Sequence, residues 1–218
     1  MDRIAAAVKR AGREPSSVRL VTVTKTVDLD RIRQAVGAGA AILGENRVQE
    51  AKEKIEALGA IASWHLIGHL QTNKAKYAVK LFDLIHSVDT IELAKELDRQ
   101  AGKIGKKQNV LIEVNIAAEA SKAGLAVREA PGLVREAAQL QNLVVQGLMT
   151  MPPFSDDPEA SRPYFRALQE LAEAIKKENI SGVSMGELSM GMSGDFEVAI
   201  EEGATLVRVG TAIFGERT

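Results

Sequence analysis

The chain has 218 residues, 45% hydrophobic and 26% charged, the balance of an ordinary globular protein with room for one large α/β domain or two small ones. A net charge of -1 offers no basic field to nucleic acid or an anionic membrane, and the lack of cysteine excludes disulfides, thiolate metal sites and a cysteine nucleophile. No stretch reaches transmembrane length, and the start, Met1 to Val8, is too short and charged for a secretory signal. The expectation is a soluble cytoplasmic protein.

A helix over Asp2–Ala11 comes first, and β-rich runs then alternate with amphipathic ones. The strand at Arg19–Thr24 is followed by a helix at Leu29–Val36, and the strand at Ala40–Leu43 by a helix at Asn46–Leu58. Strands at Trp64–Ile67 and Leu84–Val88 precede helices at Asn73–Val79 and Ile91–Gly102. Strands at Asn109–Asn115 and Leu143–Leu148 precede helices at Val127–Leu140 and Glu159–Glu178. A very short strand at Val183–Met185, a helix at Phe196–Glu202 and a strand at Leu206–Val209 complete the series. Gly37 and Gly203 suit left-handed C-caps. Eight strands alternating with helices predict an α/β fold, a single-domain (β/α)8 TIM barrel over residues 1–218 with an additional N-terminal helix. A doubly wound open sheet is the alternative.

Lys25 ends the first strand, at the rim where parallel barrels keep their chemistry. A partly dry amine there favours its neutral form, which condenses with carbonyls to give Schiff bases. The alternative is a lysine that merely marks the strand end in water. Asn46 reads as a helix cap that also offers its amide to a rim ligand, with Gln49 and Glu50 as solvated or supporting groups. His65 falls within the third strand and His69 just beyond it. Two histidines four apart suit a metal only on a helix, and Gly68 argues against one, so a metal site is rejected. His65 reads as a satisfied interior histidine, and Met149 to Pro153 as an apolar wall of the mouth.

Two small-residue turns, Ser189 to Asp195 and Arg208 to Gly215, lead from strand to helix and expose consecutive backbone N–H groups to an anion. In such barrels the loops after strands seven and eight frequently bind phosphate. Ser193 and Thr211 add hydroxyls, although Ser193 also reads as the N-cap of a helix starting near Gly194. Asp195 must then point away from any phosphate. Arg208 interrupts an apolar strand and needs a partner, either a ligand at the barrel top or, as its position slightly favours, an acidic neighbour in a structural ion pair. Lys122 reads as a solvated lysine, with a second exposed amine at the rim as the alternative.

Val23-Thr24-Lys25-Thr26, Gly44-Glu45-Asn46-Arg47-Val48-Gln49-Glu50, His65 to Lys74, Val114-Asn115-Ile116, Ser121-Lys122-Ala123-Gly124, Gly147-Leu148-Met149-Thr150, Leu188 to Ser193 and Arg208 to Gly215 run in order across almost the whole chain. Together they resemble the pyridoxal 5′-phosphate homeostasis protein family, related to the barrel domain of alanine racemase. The resemblance implies pyridoxal 5′-phosphate (PLP) as cofactor, held as an internal aldimine on Lys25. It also implies a phosphate held by Ser193, Gly194, Gly210 and Thr211, Arg208 beside the pyridine nitrogen, and Asn46 in the same pocket. The chain departs from the family in having Thr26-Val27-Asp28 after the lysine, which removes a neighbouring positive charge. Its leading helix is also shorter than the family's.

An arginine at the pyridine nitrogen disfavours protonation there and makes the ring a poorer electron sink. Racemases of this type add a second domain and a tyrosine base, whereas here the sequence stops after the last barrel segment and Tyr77 and Tyr164 fall on helices. The expectation is a reversible PLP carrier without substantial turnover, monomeric, serving PLP homeostasis and delivery to PLP-dependent apo-enzymes. A PLP-dependent amino-acid racemase is the alternative, and an aldolase-type barrel using Lys25 without a cofactor is the third.

Overall fold

The computed structural model describes residues 1–119 and 123–215. Its strands are β1 (Arg19–Val23), β2 (Ile42–Glu45), β3 (Ser63–Leu66), β4 (Leu84–Val88), β5 (Gln108–Asn115), β6 (Leu125–Ala126), β7 (Leu143–Met149), β8 (Val183–Ser189) and β9 (Leu206–Val209). The two-residue β6 is an annex to the end of β5, and the other eight form a closed parallel ring. Closure comes from β9 pairing with β1, in register from Arg19 opposite Leu206 to Thr22 opposite Val209. The helices are α1 (Asp2–Arg10), α2 (Leu29–Gly37), α3 (Val48–Leu58), α4 (Ala75–Leu81), α5 (Ile91–Gly102), α6 (Ala130–Ala137), α7 (Arg162–Lys177), α8 (Phe196–Glu201) and α9 (Thr211–Phe214).

Strand alternation separates two cores. Val21, Val23, Ile42, Leu84, Leu111, Met149 and Leu206 meet inside the barrel. Leu43, Leu66, Ile85, Val110, Ile112, Leu148 and Val207 face outward into the larger core under the helices. Each helix supplies one apolar stripe to that layer; α5 buries Leu93, Ala94, Leu97 and Ala101. Side chains fix where helices start. Asp28 accepts from Arg31 N at 2.9 Å ahead of α2, and Thr90 from Leu93 N at 3.3 Å ahead of α5. The leading helix packs on α8 through Ile4, Ala7 and Val8, and Arg13 Nη1 then donates to Ile200 O and Ala204 O, both at 2.8 Å. Among the described residues no helix is long and apolar enough to cross a membrane.

Several boundaries differ from expectation. The second strand lies two residues later and includes Glu45, because Lys54 and Thr24 hydrogen-bond that carboxylate and make its burial tolerable. The strand expected to be very short, β8, is seven residues long. Val145 pairs with Val183 but Gly147 with Glu187, so β8 spends four residues where β7 spends two, and Met185 takes φ 47° inside that bulge. A side chain at position 147 would collide with the Glu187 carbonyl. Gly37 is the last residue of α2 and does not adopt the left-handed conformation; Gly39 does, at φ 100°.

Candidate functional site at the barrel mouth

Lys25 is half-buried just past β1, and a single polar cluster grips the residues on both sides of it. From α3, Lys54 Nζ donates to Thr24 O at 2.6 Å, Glu45 Oε1 at 2.8 Å and Glu50 Oε1 at 2.7 Å. Thr24 Oγ1 donates to Glu45 Oε1 at 2.6 Å, and Thr26 N, in a residue at φ 62°, donates to Glu50 Oε1 at 2.5 Å. Burial raises the Glu45 carboxyl above its usual range against the pull of Lys54 and Thr24. Partial burial works the same way on Glu50, but hydrogen bonds from Lys54 and Thr26 hold it below that range.

Past β8 the chain turns through Gly191 at φ 88°, and Ser193 Oγ accepts from Gly210 N and Ala212 N, both at 3.3 Å. Ser193 therefore ties the two small-residue turns together and does not cap α8. That helix begins only at Phe196, with Asp195 in the cap position, so the serine comes two residues too early. Asp195 is occupied by the protein itself: Oδ1 accepts from Met192 N at 2.6 Å and Oδ2 from Ser161 Oγ at 3.0 Å.

Arg208 points into the barrel, on the same side of β9 as Leu206, and is 3% exposed. Its Nη1 donates to Ser189 Oγ at 2.6 Å and its Nη2 to Thr150 O at 2.9 Å. The expected ion pair does not form among the described residues; neutral acceptors at the ends of β8 and β7 replace it. Burial lowers the guanidinium to about 10, with Glu113 and Asp195 pulling the other way. Beyond Ser189 a buried row continues to His86 Nδ1 at 2.8 Å and from His86 Nε2 to His65 Nδ1 at 3.0 Å. Burial drives His86 far below its ordinary range and His65 to about 4, so both rings are neutral. His65 is thus a satisfied interior histidine.

A cavity of about 450 Å³ opens at this end of the barrel, and Lys25, Asn46, Ser193, Gly194, Arg208, Gly210 and Thr211 all line it. Asn46 does so without capping α3, which starts at Val48 after an Arg47 that makes no side-chain cap. Met149 and Thr150 are sealed below, so the apolar wall of the mouth begins later, at Met151, Pro153 and Phe154. His69 reaches the rim, its Nδ1 4.0 Å from Asp89 Oδ2. Among the described residues no group of three histidine, aspartate or glutamate side chains is placed to hold a metal. Lys122 lies outside the described residues. The sequence reading missed Glu113, which lines the cavity at 3% exposure; burial and the charge of Asp89 raise its carboxyl to about 7, against Arg208. Its signal was available, because it interrupts apolar β5 just as Arg208 interrupts β9.

A closed parallel barrel whose mouth joins a strand-end lysine, two small-residue turns and a buried arginine defines a recognisable class. The profile described as "Alanine racemase, N-terminal domain" matches residues 1–218. The pyridoxal phosphate homeostasis protein of Aquifex aeolicus is 47% identical over 218 residues, covering 100% of this chain and 95% of that one. PipY of Synechococcus elongatus, solved with PLP bound, aligns with a TM-score of 0.86 at 37% identity, covering 97% of this chain and 100% of that one. The alanine racemase of Clostridium difficile in complex with cycloserine gives 0.76 at 14% identity, covering 100% of this chain and 60% of the other, a likeness of fold alone. The chain belongs to the pyridoxal phosphate homeostasis protein family.

Proposed function

We propose that this protein binds PLP reversibly in the mouth cavity and holds it without turning over a substrate. The observation that carries the reading is the meeting of Lys25, Arg208 and both small-residue turns in one cavity. The residues fit the group. Ser193 gathers two backbone N–H donors at one point, Gly194 leaves open space beside it, and a buried cation and a half-buried amine stand further in. In this reading Ser193, Gly194, Gly210 and Thr211 hold the phosphate, Arg208 faces the ring nitrogen and Asn46 packs alongside. When bound, PLP supplies an electrophilic aldehyde. Lys25 supplies the amine that captures it, with its backbone held still by the Lys54 cluster.

Two features favour holding over turnover. A fixed guanidinium next to the ring nitrogen disfavours its protonation. Among the described residues no tyrosine lines the cavity; Tyr77 belongs to α4 and Tyr164 to α7. A single barrel domain over residues 1–218, a monomeric state, a cytoplasmic setting and delivery to PLP-dependent apo-enzymes complete the reading. The name of the Aquifex aeolicus relative supports the homeostasis part of it.

Borohydride reduction of the PLP-loaded protein, followed by peptide mass mapping, tests the assignment. The adduct is expected on Lys25 and absent in Lys25→Ala, while an adduct that persists on another lysine overturns it. Incubation with L- or D-alanine is expected to give no steady racemisation; turnover that Lys25→Ala abolishes would establish the racemase instead.

A further inference from the structure

The cavity has two electrically different sides. In a ring of eight strands the fourth neighbour lies diametrically across, so β5 faces β1 and β4 faces β9. On the β8–β9–β1 side stand Lys25, Arg208 and the amides gathered at Ser193. Across from them Glu113 projects inward from β5, on the same side of the strand as Leu111. Its Oε2 has no hydrogen-bond partner among the described residues. Asp89 follows β4 and His69 follows β3, so that flank presents acceptors where the other presents donors.

A buried carboxyl without a partner is costly, and the fold accommodates this one closely. Gly124 covers it at φ 100°, where a side chain would come within 2.8 Å of Asn115 N and 3.2 Å of Glu113 Cγ. Among the described residues, the charged and titratable groups facing Glu113 are Arg208 from β9, Asp89 and His69 from the β4 and β3 loops, Lys25 from the β1 loop and Asp195 ahead of α8.

We propose that Glu113 forms an ammonium subsite, so that the cavity takes phosphorylated pyridines bearing a primary amine as well as the aldehyde. The inference rests on the PLP reading above and adds a second ligand class to it. The carboxyl binds an ammonium only when ionised, so affinity for the amine rises with pH through about 7. Below that point binding releases a proton.

Pyridoxamine 5′-phosphate and pyridoxine 5′-phosphate share ring and phosphate and differ in an aminomethyl against a neutral hydroxymethyl group. Calorimetric titration of the full chain at pH 8 is expected to show the amine binding about tenfold more tightly, the scale of a charge-assisted hydrogen bond. Glu113→Gln is expected to equalise the two by weakening the amine alone. Its circular dichroism spectrum, matching that of the wild-type protein, reports an intact fold. Equal binding to the wild-type protein, or a preference that survives Glu113→Gln, overturns the subsite while leaving PLP binding in place. Failure of both esters to bind, with no adduct on Lys25, instead overturns the PLP reading and this one with it.

Discussion

Glu45 at the end of β2 and Glu113 on β5 are both withdrawn from water, at 0% and 3% exposure, and burial raises both carboxyls. Around Glu45 the fold supplies a cation and a hydroxyl, Lys54 and Thr24, which share Oε1 and leave only Oε2 without a partner. Around Glu113 it supplies no hydrogen bond among the described residues. The region beneath Lys25 is thus complete in itself and keeps a backbone in place. The region across the mouth has its polarity in position and its counterpart missing, which is the state expected of a surface made for a ligand.

Removing the cation from the first region gives the largest effect. Lys54→Met leaves Glu45 buried with no cation and with Glu50 as its charged neighbour, and urea denaturation is expected to show a loss of about 3 to 5 kcal/mol, as for other broken buried pairs. Glu113→Gln is expected to act with the opposite sign. The folded carboxyl titrates at about 7 against 4.5 for an unperturbed glutamate, so its cost is absent at low pH and fully present above 7. The variant should therefore gain up to about 3 kcal/mol at pH 8, shrinking to nothing as pH falls towards the ordinary glutamate range. A gain of the same size at pH 4.5 and pH 8 would show that packing, not charge, decides it. The smallest effect calibrates both. Arg135 pairs with Glu178 at 2.8 Å on the surface with side chains 55% and 33% exposed, and Arg135→Ala is expected to cost less than about 1 kcal/mol.

The barrel was legible because its signals are local. Short β-rich runs marked the eight barrel strands, the seventh only by its first three residues, and single apolar stripes marked the helices. The bulge in β8 was not legible: the expected strand stops at Met185, and nothing local shows that Gly147 lies opposite Glu187. Lys25, Arg208 and the two turns announced themselves by breaking apolar patterns. The bond from Ala212 N to Ser193 joins residues 19 apart in sequence, and no local rule distinguishes it from a cap on the serine's own helix. Glu113 broke its strand in the same way as Arg208 and was overlooked, because a lone carboxylate in a strand shows its burial only once the ring closes around it.

The row from Arg208 through Ser189 and His86 to His65 is fixed at one end only. A guanidinium has no acceptor, so Ser189 receives from Arg208, but a hydroxyl has two acceptor lone pairs beside its one hydrogen. Ser189 therefore meets His86 Nδ1 either by giving that hydrogen or by accepting a second one. In the first arrangement His86 carries its hydrogen on Nε2 and gives it to His65 Nδ1; in the second His65 Nδ1 gives to His86 Nε2. The two imidazoles turn together, and the hydroxyl beside Arg208 is the pivot on which they turn.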